Sequence, residues 1–475
     1  MDLSHKNSTG SRYRDAVARL IEFIEEREQS PEPVEDLEQF ERQAGEMLAE
    51  VHREMTAVEL ARLDVNVPHI VVDGEQYEQV LRCEDEYMSA KGPVRVMRSL
   101  YSARQAGEKS ICPMEMRAGI VEDYWTPLAA KQAMWVVSHM TPGDGEKMFR
   151  MLDGMEPSKS SLDRLPKRLS AKWEKERERM ERALRQQEMV PAEATTVAVS
   201  LDGVMAPMRD GQRKQKRQEA KARGKYQKGP AGYREVGCGT ISFYNILGEL
   251  IATRRMARMP EKGKKTLKQM LVDELGIVLS QRSDLDLVKI ADGARDNWTF
   301  LTSEDLPEGW EVVDFYHACE HLHAALATAY GDTSARCHSQ YEKMRTILRD
   351  EDDGVEKVIR SLAYLRSKHP RRKKIAEELG YFRHNRKRMR YSETKDMGYP
   401  IGSGVVEAAC KTLVTQRMKC SGMRWGQDGG QAILTFRGHI QSDRFERGWN
   451  LLKNEYVHDV TLPDNVVPLN CQNAA

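Results

Sequence analysis

Three carboxylates sit where a chain could do phosphoryl chemistry. Asp202 follows an apolar run in Leu201-Asp202-Gly203-Val204, and Asp292 does the same in Ala291-Asp292-Gly293-Ala294. Glu407 lies in the first turn of a small-residue helix that begins after Gly402-Ser403-Gly404. Two aspartates at neighbouring strand positions and a glutamate on a late helix make a set of hard oxygen ligands. Such a set suits Mg²⁺, which accepts few protein ligands and keeps positions open for water and phosphate. Two ions roughly 3.5–4 Å apart clamp the attacking and leaving oxygens of an in-line displacement. Either Asp-Gly alone reads as a turn after a strand. The two together, with a glutamate on a loop-to-helix junction downstream, read as a site.

The elements that must bring these acids together are legible from about residue 195. Strands are expected at 195–201, 235–244, 249–254, 286–291 and 310–314, and helices at about 264–281, at about 294–304 and from Tyr316 onward. Three strands, helix, strand, helix, strand, helix predicts an α/β ribonuclease-H-like sheet. In that architecture the first strand lies beside the fourth, which sets Asp202 next to Asp292. The segment 331–390 is helical in pattern, with Ile347, Leu348, Val358, Ile359, Leu362 and Leu365 as apolar markers. It reads as an all-α insertion between the fifth strand and Glu407.

Three basic groups surround these acids. The stretch 209–228 carries Arg213, Lys214, Lys216, Arg217, Arg223, Lys225 and Lys228 and reads as a loop beside Asp202 that binds phosphate electrostatically. Arg386, Lys387 and Arg388 end the helical insertion, and Arg417, Lys419, Arg424 and Trp425 come after Glu407. Trp425 is suited to stacking on an unpaired base.

One motif competes. His317-Ala318-Cys319-Glu320-His321 matches the H-x-x-E-H pattern of zinc peptidases, with both histidines on one helix face. That site needs a distant acidic ligand and a fold the strand order does not suggest. Alternatively, Asp314 and His317 mark the end of the fifth strand, where they support the acids or touch DNA. A plain structural histidine is the third reading.

Upstream, 1–67 reads as a helical region, with helices at 13–28 and 34–63 and Leu37, Phe40, Leu48, Val51 and Met55 as the buried side of the second. A small β-rich piece spans 68–118. A helix-turn-helix-like DNA-binding region and linker span 119–190, where Thr126-Pro127 and Thr141-Pro142 each place a hydroxyl before a proline at a helix start. Within it, 174–188 alternates Glu with Arg and Lys, as a solvated helix does. The remaining divisions are 191–330 for the first part of the catalytic core, 331–395 for the insertion, 396–455 for the catalytic helix with the C-terminal helices, and 456–475 for a tail.

Composition bounds the partners. The 475 residues carry a net charge of +1, so contact with nucleic acid must come from local patches. Nothing approaches the roughly 20 apolar residues of a membrane helix, and the start of the chain lacks a hydrophobic signal region. A cytoplasmic protein is expected. The eight cysteines are scattered without a C-x-x-C pair, which argues for buried thiols rather than a zinc ribbon.

Several of these stretches resemble the ISKra family of bacterial insertion-sequence transposases. They are Leu201-Asp202-Gly203-Val204, Gly229-Pro230-Ala231-Gly232-Tyr233-Arg234-Glu235-Val236-Gly237-Cys238-Gly239-Thr240, Ala291-Asp292-Gly293-Ala294 and Ile401-Gly402-Ser403-Gly404-Val405-Val406-Glu407. The likeness covers about 112–450. It implies a DDE triad of Asp202, Asp292 and Glu407 that holds two Mg²⁺ or Mn²⁺ ions on a ribonuclease-H-like fold. It implies action on double-stranded DNA: water cleaves the inverted-repeat end of a mobile element, and the freed 3′-hydroxyl attacks target DNA. A homo-oligomer that pairs two ends, in the nucleoid of a bacterial cytoplasm, is expected with it. The alternatives are a ribonuclease-H-like nuclease that cuts without joining, and a DNA-binding regulator on a decayed catalytic fold.

Overall fold

The structure is a computed structural model that describes residues 8–103, 110–209, 213–224 and 232–462. The chain divides into two compact units, one of residues 1–180 with 446–475 and one of residues 181–445.

In the first unit the helices Ser8–Gln29 and Leu37–Leu63 pack on each other, with Phe23 stacked on Phe40 at 5.8 Å. The side of the second helix expected to be buried is largely open. Leu37, Leu48 and Met55 are 61%, 58% and 49% exposed, and the covered stripe is Ala49, Ala57 and Leu60. Small side chains there let the helix approach an antiparallel meander of β1 (His69–Val72), β2 (Glu75–Ser89) and β3 (Gly92–Ala103). Ala57 and Leu60 share a core with Tyr87, Val94 and Val96 of that sheet. Asp73 and Gly74 both take left-handed backbone (φ 50 and 82), as a two-residue hairpin turn requires. After the short helix Pro113–Ala118, the helices Pro127–His139, Pro142–Met151 and Lys159–Lys175 pack together. The last buries Leu162, Leu165, Leu169 and Trp173 and turns Arg164, Lys167 and Arg168 outward.

The second unit holds a five-stranded sheet of β4 (Thr196–Pro207), β5 (Tyr233–Tyr244), β6 (Leu250–Arg258), β7 (Asp286–Ala291) and β8 (Trp310–Val313), in the order β6-β5-β4-β7-β8. β4, β5 and β6 are antiparallel, whereas β7 runs parallel to β4 and β8 parallel to β7. Val197, Ala198, Val199 and Leu201 are all buried, as in a central strand covered on both faces. The helix Lys265–Gln281 carries the chain from β6 to β7, Arg295–Leu301 from β7 to β8, and Phe315–Tyr330 comes after β8. The segment expected to be all-α consists of the helices Ala335–Asp350, Gly354–Lys368, Lys373–Asn385 and Tyr391–Asp396.

Three further expectations change. β4 does not stop before Asp202: its ladder with β5 continues to Pro207 opposite Tyr233, and Gly203 pairs with Gly237 instead of making a turn. Within 209–228, the described residues 213–222 form a helix, Arg213–Ala222, rather than a loop. The helix Arg177–Gln186 within 174–188 is not simply solvated, because Met180, Glu181, Leu184 and Arg185 are buried. Its charges are paired inside the protein, with Arg185 Nη2 2.9 Å from Glu181 and Arg185 Nε 3.0 Å from Glu274. Among the described residues no helix is long and apolar enough to cross a membrane.

Candidate functional site

The parallel register of β4 and β7 ends at Ser200 opposite Ile290, so two residues further along each chain Asp202 and Asp292 stand side by side. Asp202 Oδ1 accepts the Gly203 amide at 2.6 Å, and Oδ2 lies 3.7 Å from the Cys410 thiol. Burial pushes the Asp202 carboxyl above the usual carboxylate range, and the charge of Asp292 adds to that push against the Gly203 bond. Asp292 Oδ1 accepts from Ala294 N at 3.1 Å and from Asn297 Nδ2 at 2.9 Å. The same Asn297 amide reaches Leu201 O at 3.4 Å, and Trp298 Nε1 donates to Asp292 O at 2.7 Å. One turn of helix after Asp292 therefore fixes that acid and ties it to the strand of Asp202.

Glu407 arrives on the helix Gly404–Ala409, which continues into a π-helical segment Cys410–Thr415. Val406, Ala409, Cys410 and Leu413 pack on Ala206, Val236 and Cys238 of β4 and β5, leaving Glu407 on the open side. Cys410, one turn beyond Glu407, is the residue that meets Asp202. The start of this helix is held by Asp314, which is fully buried at the N-cap of Phe315–Tyr330. Asp314 Oδ1 accepts from His317 N at 2.7 Å, its Oδ2 accepts from Ser403 N, and Phe315 N donates to Ile401 O at 2.9 Å. The Tyr316 ring fills the space where a Gly402 side chain would stand (2.9 Å from a Cβ), so the loop comes this close only with glycine there. Ser403 Oγ then donates to Glu407 Oε1 at 3.3 Å.

His317 Nδ1 lies 3.3 Å from Asp314 Oδ1 and 3.7 Å from Glu407 Oε1. Its side-chain interaction with Asp314, opposed by burial and helped by the charges of Asp314, Glu320 and Glu407, raises its pKa to about 9. Burial pushes the Asp314 carboxyl up, but the interactions with His317 and Ser403 outweigh it and hold the group below the usual range. The two therefore face each other as imidazolium and carboxylate near neutral pH. Among the described residues, Asp314, His317 and Glu407 form a group whose ligand atoms all lie within 4.8 Å of one another. With His317 held as an imidazolium this group does not ligate a cation in that state, and it joins Glu407 to Asp314 and His317 rather than to Asp202 and Asp292. The carboxylates of Asp202, Asp292 and Glu407 remain the hard oxygen donors suited to a divalent ion. One buried polar atom near here, Tyr381 OH, has no hydrogen-bond partner among the described residues.

The two histidines of the H-x-x-E-H run part company. His317 faces Asp314 and Glu407, whereas His321 Nδ1 is 2.5 Å from Glu378 and its ring stacks on Tyr381 at 3.6 Å. Tyr381, on the helix Lys373–Asn385, lies over Gly293 so closely that a Cβ there would be 2.2 Å from the ring. A Gly293→Ala protein should accordingly lose about 1–3 kcal/mol of stability, read as a lower urea midpoint with an unchanged slope.

The basic residues fare unevenly. Lys387, Lys419, Arg424 and Arg223 are exposed, and Arg386 is exposed with Glu356 at 3.2 Å. Arg388 is spent inside the protein, 2.5 Å from Glu311 and 4.1 Å over the Trp298 ring. Arg417 is only 3% exposed and lies under Trp425 at 5.2 Å, so it does not offer its charge to a ligand as expected. Trp425 is half-buried, its indole bonded to Met418 O at 2.9 Å and its backbone bridged to Met208. Arg213, Lys214, Lys216 and Arg217 lie on the helix Arg213–Ala222, whose first side chains are not described, and Lys225 and Lys228 lie outside the described residues. Sequence reasoning passed over Asn297, Cys410 and Tyr381. Of these, only Asn297 carried a signal: a buried-type amide on the turn just after an Asp-Gly.

No family model matches the chain, and no curated protein matches it. Among solved structures, the Drosophila P element transposase strand transfer complex aligns at a TM-score of 0.25 and 11% identity, over 70% of this chain and 82% of that one. A score that low carries no argument about this chain.

Proposed function

We propose that the second unit is the catalytic domain of a DDE insertion-sequence transposase with a ribonuclease-H-like sheet, acting on double-stranded DNA. What supports this reading is the proximity of Asp202, on β4, to Asp292, just past the end of the adjacent parallel strand β7, with Cys410, one turn beyond Glu407, packed against Asp202. Asp202, Asp292 and Glu407 would hold two Mg²⁺ or Mn²⁺ ions. Bound there, such ions supply Lewis-acid stabilisation for in-line phosphoryl displacement. The protein's own part is to keep two like charges together. Asn297 and the Gly203 and Ala294 amides orient the two aspartates, and the Cys410 thiol backs Asp202. Asp314 and Ser403 fix the entry of the Glu407 helix, and protonated His317 partly offsets the charge of Glu407. Lys419, Arg424 and Lys387 contact the DNA backbone, while Arg164, Lys167 and Arg168 of the first unit serve binding of the element ends.

The test uses a plasmid carrying the coding sequence with its flanking DNA, including any inverted repeats. Purified protein with Mg²⁺ or Mn²⁺ should nick at the repeat ends and join them to target DNA. Chelation should abolish both steps and added Mg²⁺ restore them. Cutting without joined products would favour the nuclease reading. Binding without cleavage would favour a regulator on a decayed fold.

A further inference from the structure

Tyr381 comes from the helical segment between β8 and Glu407, far in sequence from Asp292, yet it lies on the Asp292-Gly293 peptide. A Cβ at Gly293 would be 3.0 Å from its hydroxyl oxygen. Its ring is clamped: it stacks on His321 at 3.6 Å and 19°, and His321 is fixed by Glu378, which also pairs with Lys374 at 2.7 Å. A side chain held this firmly directs its hydroxyl to one place. That hydroxyl is closed off from solvent and has no hydrogen-bond partner among the described residues. Leaving a buried O–H unsatisfied costs free energy, so an unpaired hydroxyl calls for a partner such as a water, an ion or a group that joins it in another state. The neighbouring carboxylate has a vacant acceptor to match. Asp292 Oδ1 carries both bonds made by Ala294 N and Asn297 Nδ2, and among the described residues Oδ2 has none.

We propose that Tyr381 is a positioning residue for the second metal-site aspartate, its hydroxyl donating to Oδ2 of Asp292 when that carboxylate takes a divalent ion. This rests on the reading of Asp202, Asp292 and Glu407 as metal ligands. Asn297 and Tyr381 then hold the two oxygens of Asp292 from opposite sides, one from the helix after β7 and one from the helical insertion. The insertion thereby contributes directly to the site. Outer hydrogen bonds of this kind tune how well a carboxylate ligates.

Tyr381→Phe removes the hydroxyl and keeps the stacked ring, so the fold should be retained. Mn²⁺ binding to the full-length protein is measured by electron paramagnetic resonance, with thermal melting alongside and DNA cleavage titrated with Mn²⁺. The expected result is a loss of Mn²⁺ affinity of about tenfold or more, a matching rise in the Mn²⁺ needed for half-maximal cleavage, and a metal-free melting temperature no lower than wild type. Mn²⁺ affinity within twofold of wild type would overturn the proposal. Asp292→Asn is the control that separates the two ideas. If it binds Mn²⁺ as wild type does, the metal-site reading fails and the role of Tyr381 falls with it. If Asp292→Asn loses Mn²⁺ and Tyr381→Phe does not, the role of Tyr381 alone is wrong.

Discussion

Asp202→Asn and Asp292→Asn proteins should lose metal-dependent DNA cleavage by at least about a thousandfold, and the Asp202→Asn protein should melt no lower than wild type. The loss of cleavage comes from the proposed chemistry. Asparagine keeps the shape of the side chain and removes the charge on which a hard divalent ion depends. The retained stability comes from electrostatics. The Asp202 carboxyl is raised by burial and by Asp292, so its charged form is less favourable in the folded chain than in the unfolded one. The folded state therefore binds the proton more tightly, and stability falls as pH rises past the ordinary carboxylate range. The Asp202→Asn protein would lack that loss at neutral pH. A residue whose removal leaves stability intact or improved while activity disappears is one retained for function. Cleavage assays and thermal melts on the same preparations decide the matter. Near-wild-type cleavage by either variant would sink the triad, and a collapsed melt would mean that the carboxylate is structural.

How far the sequence reaches is clear from individual residues. The central strands β4 and β7 are legible as apolar runs bounded by polar breaks, and the order of the five strands suggests Asp202 beside Asp292. The extension of β4 is not legible. Asp202-Gly203 reads as a turn, yet the ladder runs straight through it, with Gly203 facing Gly237. The helix Leu37–Leu63 shows a different limit. Apolar spacing reveals a stripe but not which of two stripes is covered, and here Ala49, Ala57 and Leu60 are covered while Leu48 and Met55 are not. Charge patterning misleads most. Arg388, Arg417 and Arg185 read as solvent-facing, yet each is sequestered by a carboxylate or an aromatic ring from another part of the chain. Spacing does single out Asp314 and His317. That Asp314 is wholly buried, and that it fixes Ser403 and so the Glu407 helix, depends on a long-range contact no local pattern encodes.

Glu274→Gln should destabilise the second unit by about 3–5 kcal/mol at neutral pH, and that deficit should shrink in acid. Glu274 is 1% exposed and lies at the centre of a buried ionic network. It accepts from Arg444 at 2.5 and 3.1 Å, from Arg254 at 2.7 Å and from Arg185 at 3.0 Å. Glu188 shares Arg444 at 2.5 Å and Arg254 at 3.4 Å, and Glu181 shares Arg185. Three guanidiniums thus face three carboxylates out of water. Removing one carboxylate charge leaves a buried positive charge uncompensated, which costs far more than one hydrogen bond. Burial alone would push the Glu274 carboxyl up, but Arg444 first, then Arg254 and Arg185, bring it down to about 2. A depressed folded pKa means stabilisation that is fully present above the ordinary glutamate value and lost as pH falls toward the folded one. Urea melts from about pH 7 down to about pH 3 should therefore show the wild type weakening below about pH 4.5, while the variant changes less over the same window. A double variant, Glu274→Met with Arg444→Met, separates an unpaired charge from a lost contact. It should recover part of the deficit of Glu274→Gln, because it removes the positive charge along with its partner. If the double variant is instead less stable than the sum of its single changes, packing rather than charge compensation holds this part of the unit together.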